Sequence, residues 1–537
     1  MSRARLVLVL DGLLGATLVV LVGTLVVWRS QLPLGALTQL RPEDVLLGGL
    51  ALLTLRCWLS PFRLPAVAPA RAVGLGVALY AVVFSFLTVG RHRTFQTHAL
   101  DLGQYAQNLW DLAGGREPYD TIFGWHAWGN HFSPVLYLLA PGAALFSGPV
   151  WLLVFQSVAL ALGAVPLFLL ARRRLTGPSA AAVALLYLAN PTLHGVNIRD
   201  FHPAALAIPF LLTAIYAWEA QRPALFALAT FLTLTTREDA AIAVVGLALW
   251  LALAHRRWGL GAGLAVAGVA WLLIAVHWLM PFFRDDGVYP YIVGHYPHLG
   301  TTLGEVLLAP LTRPGTVVGT LLQWTRARYL LALLAPLAFL PLLAPTAAGG
   351  ALAALAQNTL SDYPSLFHHR SQHQSFVLPF LFAGAVAALA KLERGWRPAA
   401  WITPGRALAT GAILSLVLTA RTVNDLAINS WQPGEKHRAA HRLMARIEPG
   451  ARVSATERFF PHLYERARVF VLPDAATTSD YVLADGALLA RGWLGKVPAV
   501  RTGDRIDLSL PELAGRQARF RILAEDHGLL LLRRLAD

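Results

Sequence analysis

The residues best placed to do chemistry lie in a polar island, Thr97–Pro134, held between two hydrophobic blocks: THALDLGQYAQNLWDLAGGREPYDTIFGWHAWGNHFSP. Asp101 is its first acid and sits about ten residues past a strongly apolar stretch. A carboxylate at a membrane surface can orient or deprotonate an acceptor hydroxyl, or hold a metal ion. Asp101, Tyr105 and Asn108 recur at helical spacing and so share one face. Gly114-Gly115 then ends that helix. The plainer reading of Asp101 is a helix N-cap on a solvated loop, since Asp is a favoured cap. His98, His126 and His131 accompany it, among Trp125 and Trp128. Imidazole and carboxylate together can bind a divalent metal, the one cofactor this set could hold. No tight HxxxH spacing occurs, so Asp101, His98 and His126 are weak ligand candidates.

Two further clusters fall in short connectors between apolar blocks. They are Asn197-Ile198-Arg199-Asp200-Phe201-His202-Pro203 and Thr236-Arg237-Glu238-Asp239. Ionisable residues near membrane depth are costly and usually face an interior cavity. Arg199, Asp200, His202, Arg237, Glu238 and Asp239 are therefore substrate-binding candidates, and Arg237 can clamp a phosphate with two hydrogen bonds. A structural Arg–acid pair at a helix turn is the equal alternative. A third cluster, Phe367–His373, carries His368, His369 and Arg370 just before a span and suits a lipid phosphate head. Its bland reading is a basic loop on anionic headgroups. Arg284-Asp285-Asp286 resembles an acidic metal pair but reads better as a solvated loop.

The elements that must position these residues are membrane spans. Of 537 residues, 56% are hydrophobic and 14% charged, with a mean hydropathy of +0.53. Soluble domains carry about 25% charged residues. The single cysteine, Cys57, excludes an intrachain disulfide framework and a thiolate metal cluster. A cleaved signal peptide fits poorly, because the first apolar stretch is as long as a full span and lacks a clear cleavage site. The net charge of +15 is not a nucleic-acid footprint. Fourteen Lys and Arg, against only Glu219 and Glu393, gather in the N-terminus, in alternate short connectors and at the span ends beside them. That is the positive-inside pattern.

Hydropathy places about thirteen spans, near 6–28, 45–60, 71–90, 150–171, 179–198, 203–219, 223–236, 240–254, 259–281, 328–344, 347–361, 374–390 and 402–420. With Arg3 and Arg5 cytoplasmic, alternation puts every basic connector inside. It puts the loop 91–149, the turns at 199–202 and 237–239, the loops 282–327 and 362–373 and the tail outside. Val135–Phe146 is too short and Pro-broken to span and reads as interfacial or re-entrant, and Thr301–Thr325 has a similar amphipathic, Pro-broken look. After Arg421 the charge rises. A helix is expected at Glu435–Ile447, and strands at Arg452–Ala455 and Arg468–Leu472 around a helical Glu457–Arg466. A strand at Tyr481–Ala484 and a hairpin across Asp526-His527-Gly528 complete a small α/β domain. The expected organisation is an extra pair of spans at 1–65, a transmembrane core at 66–421 and an external α/β domain at 422–537.

Several motifs in fixed order resemble a bacterial membrane family, domain-of-unknown-function family 2079. They are Asp101-Leu102-Gly103-Gln104-Tyr105, Asn108-Leu109-Trp110, Gly115 and Asn130-His131-Phe132-Ser133-Pro134-Val135-Leu136-Tyr137, then Gln156, Phe201-His202-Pro203 and Arg237-Glu238-Asp239-Ala240-Ala241. The match spans about Ala81–Ala390. That family in turn resembles the GT-C glycosyltransferases, all-α multi-pass enzymes with an acid in the first long external loop and a soluble C-terminal domain. The resemblance implies Asp101 as catalytic base, Ser133–Tyr137 as the second motif and a polyprenyl-phosphate sugar as donor. It implies an extracytoplasmic glycan, lipid or protein as acceptor, in the bacterial inner membrane. A single acid stands where the superfamily has a pair, which counts against strict metal dependence. The rival readings are a transporter or lipid flippase and a non-catalytic assembly protein. A transporter would often show repeated halves, and no internal repeat is visible.

Overall fold

A computed structural model describes residues 3–30, 39–60, 67–284, 289, 291–428, 432–494, 497–509 and 517–535. Four helices are long and apolar enough to cross a membrane: Arg3–Val27, Pro69–Arg93, Gly148–Arg172 and Trp258–Phe282. Shorter apolar helices, among them Pro203–Glu219, Pro223–Leu234, Ala240–His255 and Pro404–Ala420, complete the bundle. Two stretches expected as single spans are broken. The stretch 179–198 divides into Gly177–Leu188 and Pro191–Ile198, where Asn190 caps the second helix by accepting from Thr192 N at 2.9 Å. The stretch 328–344 breaks after Trp324–Leu334, where Ala338 and Phe339 take φ of 48° and 57°. Proline recurs in the first helical turn, where its missing N–H costs nothing.

Helix faces sort between lipid and bundle. On Pro69–Arg93, Leu75, Leu79, Val82 and Phe86 form an exposed stripe, while Val73, Tyr80 and Phe84 point inward. Where two helices must approach closely, glycine permits it. A Cβ at Gly261 or Gly268 would lie 2.9 Å from Ala248 O or 3.0 Å from Ala241 O, so Trp258–Ile274 can lie against Ala240–His255 only with glycine there. The N-terminal helices Arg3–Ser30 and Pro42–Leu59 are joined by Arg56 Nε, which donates to Asp11 Oδ1 at 2.7 Å.

The tail forms an eight-stranded sheet with β-strands ordered Val469–Val471, Val453–Ala455, Tyr481–Asp485, Leu529–Arg534, Gln517–Asp526, Arg505–Ser509, Val497–Thr502, Trp493–Leu494. The first three are parallel and the rest antiparallel. The expected hairpin is present, with Asp526 opposite Leu529. The helix expected at Glu457–Arg466 is only a 3-10 turn, Glu457–His462, with Pro461 inside it. The strands at 493–509 had no clear alternation in sequence.

This sheet domain packs directly on the loop that carries Asp101. Phe95, at φ 55°, is packed among the rings of His437, His441, Phe459 and His462. His92 stacks on His462 with centroids 4.1 Å apart. Gln107 Nε2 donates to Arg466 O at 3.0 Å, and Gly148 N to Tyr464 Oη at 3.0 Å. Phe460, fully buried, covers Gly103 so closely that a Cβ there would be 2.7 Å from its ring. Phe460→Ala should therefore cost about 3–5 kcal/mol. The expected readout is a lower melting temperature of the purified protein with faster protease cleavage of the loop 91–149; unchanged values would show that this docking contributes nothing.

Candidate active site

One cavity of about 840 Å³ opens at the end of the bundle that carries Asp101. Its polar part is lined by Asp101, Gln104, Tyr105, Asn130, His131 and His202 from the loop and the 199–202 turn. Arg237, Glu238 and Asp239 come from the turn before Ala240–His255. Arg284, Tyr289, Tyr291, His295, Gln357, Tyr363, Gln372 and His373 come from later segments. Beyond them the lining is apolar. Ala241, Ile242 and Val245 face Gly268, Val269 and Leu272, with Leu303, Leu307, Ala353 and Ala356 closing the groove.

Asp101 lies outside regular helix. Its φ of 70° and ψ of −91° interrupt the helical path, and the regular helix starts at Gln104. A non-glycine residue there stores about 1–3 kcal/mol, held only when its surroundings over-determine it. The break corrects the expectation of one helical face. Asp101 and Tyr105 reach the cavity, whereas Asn108 is buried away from it. Asp101 Oδ2 lies 3.1 Å from His202 Nε2, its one side-chain partner among the described residues. Burial pushes the Asp101 carboxyl up, but the charge and hydrogen bond of His202, with the charges of His131 and Arg237, outweigh it and hold it below the usual carboxylate value.

The other carboxylates are committed. Asp239 accepts from Arg237 Nε and Nη2, both at 2.5 Å, and from Gln357 Nε2 at 3.3 Å. Glu238, 1% exposed, accepts from His131 Nδ1 at 2.9 Å, Phe132 N at 3.1 Å and Tyr289 Oη at 3.3 Å. His131 Nε2 meets Tyr291 Oη at 3.1 Å, and that hydroxyl donates to Asn130 Oδ1 at 2.5 Å. Arg237 Nη2 lies 3.5 Å from His373 Nδ1. Burial, then the charge of Arg237, pushes His295 down to about 4, and burial likewise depresses His373.

The remaining candidates lie elsewhere. Asp200 sits behind the wall, accepting from His98 N at 3.2 Å and paired with His98 Nδ1 at 2.9 Å. His126 accepts from Trp128 N and stacks on Phe283. The two histidines thus turn away from Asp101, and among the described residues no three His, Cys, Asp or Glu converge as a metal group. Arg199 is exposed and lies outside this cavity. His368, His369 and Arg370, expected at the phosphate, are outside the cavity; the backbone of Arg370 packs on Gly195, and the turn sends His373 inward instead. Arg284 is not solvated as expected but 8% exposed, over the Trp125 ring at 4.1 Å and donating to Gly129 O. Asp285 and Asp286 lie outside the described residues. Sequence reading also missed Asp120, fully buried behind the loop and pushed by that burial up to about 7 against hydrogen bonds from Ile122, Phe123 and Gln104.

A family described as "Predicted membrane protein (DUF2079)" matches residues 91–531. No curated protein matches the chain. Among solved structures, the chain is similar to ArnT from Cupriavidus metallidurans bound to undecaprenyl phosphate. The TM-score is 0.51 at 16% identity, covering 87% of this chain and 98% of that one. It is also similar to the Archaeoglobus fulgidus oligosaccharyltransferase, with a TM-score of 0.44 at 12% identity, covering 78% and 70%. The fold resembles that of the ArnT structure.

The Glu238 junction yields a stability prediction. Glu238→Ala would leave His131 and Phe132 N without their acceptor and should cost about 3–5 kcal/mol. Thermal unfolding of the purified protein measures it, and a melting temperature equal to wild type would remove Glu238 as the anchor.

Proposed function

We propose that this chain, which belongs to the DUF2079 family of predicted membrane proteins, is an integral-membrane glycosyltransferase using a polyprenyl-phosphate sugar. One observation carries the reading: a carboxylate with an open oxygen faces a cavity that holds Arg237 and Arg284 at its polar end and runs into a long apolar groove at the other. The groove between Ala240–His255, Trp258–Ile274, Leu303–Thr312 and Leu352–Leu360 suits an isoprenoid tail. The undecaprenyl phosphate bound to the similar ArnT structure is a ligand of this class.

In this mechanism Arg237, Arg284 and His131 surround the donor phosphate. Asp101 takes the proton of an acceptor hydroxyl as that oxygen attacks the anomeric carbon. The bond from that carbon to the phosphate oxygen breaks, its electron pair leaves on the phosphate, and the configuration inverts. The phosphate leaves without a general acid, because positioned cations neutralise the developing charge. His202 is a positioning residue, holding the carboxylate ionised and aimed into the cavity. The acceptor is an extracytoplasmic glycan, lipid or protein, and the membrane is the bacterial inner membrane with the N-terminus cytoplasmic.

Purified protein with labelled polyprenyl-phosphate sugars and membrane extract tests this. Asp101→Asn should lower turnover by about 10²–10⁴-fold with expression and insertion intact; undiminished turnover would refute the assignment. Ala356→Trp should raise KM for long-chain donors and leave short-chain donors unaffected, while equal loss on both would mean the tail lies elsewhere. An ionised base gives a rate that falls as pH drops through its pKa. His202→Ala removes the charge and hydrogen bond that lower that pKa, so the acidic limb of the profile should move to higher pH. An unmoved limb would mean that Asp101 is not the titrating base.

A further inference from the structure

The basic cluster that sequence reading aimed at the donor phosphate lies outside the cavity and needs another explanation. His368 and His369 stack with ring centroids 5.2 Å apart, on a turn fixed by Gln374 Nε2, which donates to His368 O at 3.2 Å. That turn presses on helix Pro191–Ile198, where a Cβ at Gly195 would meet Arg370 Cα at 2.6 Å. Arg199 follows at the end of the same helix and is exposed. Arg328, on helix Trp324–Leu334, is exposed as well. Burial pushes His369 down to about 4, reinforced by the charges of His368, Arg370, Arg199 and Arg328. Helix Trp324–Leu334 is fixed to the same turn, since Tyr329 Oη donates to Gln374 Oε1 at 2.7 Å and Arg326 lies over the Phe367 ring at 3.7 Å, so three arginines and two histidines gather around it. Arg199 and Arg328 make no side-chain ion pair or hydrogen bond among the described residues. Helix-end dipoles do not account for the cluster, since Arg328 lies within its helix and Arg370 in a turn. The chain's basic surplus otherwise gathers at the opposite end of the bundle, around Arg172–Arg174 and Arg256-Arg257.

The surroundings say which anion fits. Leu321, Leu322, Trp324 and Leu331 flank Arg328 and are 44%, 80%, 69% and 46% exposed. An exposed tryptophan among exposed leucines marks the boundary between hydrocarbon and headgroups, where arginine stems lie on apolar surface and the guanidinium meets phosphate. We infer that Arg199, Arg328 and the His368–Arg370 turn form a phosphate-binding surface for a bilayer lipid headgroup, separate from the cavity. The same two turns send His202 and His373 toward the cavity and leave Arg199 and His368 exposed, so this surface sits on the back of the polar wall. This does not depend on the proposed reaction.

Thermal unfolding of the full chain in detergent tests it, titrating phosphatidylglycerol, phosphatidylcholine or inorganic phosphate at constant ionic strength. The probe variant is Arg199→Gln with Arg328→Gln, both exposed. The control is Arg172→Gln with Arg173→Gln, which removes equal charge at the other end. Phosphatidylglycerol should raise the melting temperature of wild type and of the control. The concentration needed by the probe variant should rise about 25-fold, as two arginines near a headgroup surface imply. The same variant-sensitive shift with inorganic phosphate would retain the phosphate site and make its source soluble. Equal phosphatidylglycerol titrations for probe variant and wild type would overturn the proposal.

Discussion

Hydrogen bonds between the loop 91–149 and two short turns hold the polar end of this protein together. Where apolar helices stop, their backbone groups lose helical partners and lie too deep for water to satisfy them freely. Buried side chains take over. Gln156 donates to Asn197 O and Asp200 O and accepts from His202 N at 2.9 Å, which fixes the 199–202 turn. Glu238 accepts from Phe132 N, and Thr235 O from Val135 N at 3.0 Å, which fixes the loop on the 236–239 turn. Asp101 is positioned only because both turns are. Its partner His202 belongs to one, and His131, which contributes to its electrostatics, is held by the other.

The sheet domain closes the other side of that loop. Phe460 over Gly103 and the rings around Phe95 fill the space beneath the segment 95–103. A left-handed conformation at Asp101 costs free energy that local interactions alone do not return. Packing from both sides supplies the constraint, so the tail acts on the geometry of Asp101 without contributing to the cavity lining.

What was legible in the sequence follows the same physics. Asp101, His202 and Arg237–Asp239 stand out because charged residues at the ends of apolar blocks are expensive, and their types announce them. The four helices long and apolar enough to cross a membrane were legible for the complementary reason. Tyr289, Tyr291, His295 and Gln357 were not, because nothing local distinguishes them and only the tertiary fold returns them to the cavity. The segment 368–373 misled in an instructive way. Its three conspicuous basic residues, His368, His369 and Arg370, lie outside the cavity, and His373, at the end of the segment, enters it. The helical spacing of Asp101, Tyr105 and Asn108 failed because a break at Asp101 has no signature in residue type.

Counting hydrogen bonds on the three carboxylates that line the cavity separates their roles. Glu238 receives three donors, and Asp239 receives the fork of Arg237 plus an amide. Such groups are anchors, since taking up a proton would require giving up bonds that desolvation makes costly to lose. Asp101 has a single partner on one oxygen, and its side chain is 41% exposed toward the cavity. On the proposed mechanism the base must keep a lone pair open while the charges around it keep it ionised. Of the three, Asp101 alone combines both conditions. Arg237, held by Asp239, keeps Nη1 without a hydrogen bond among the described residues, so one edge of its guanidinium is left for an incoming phosphate.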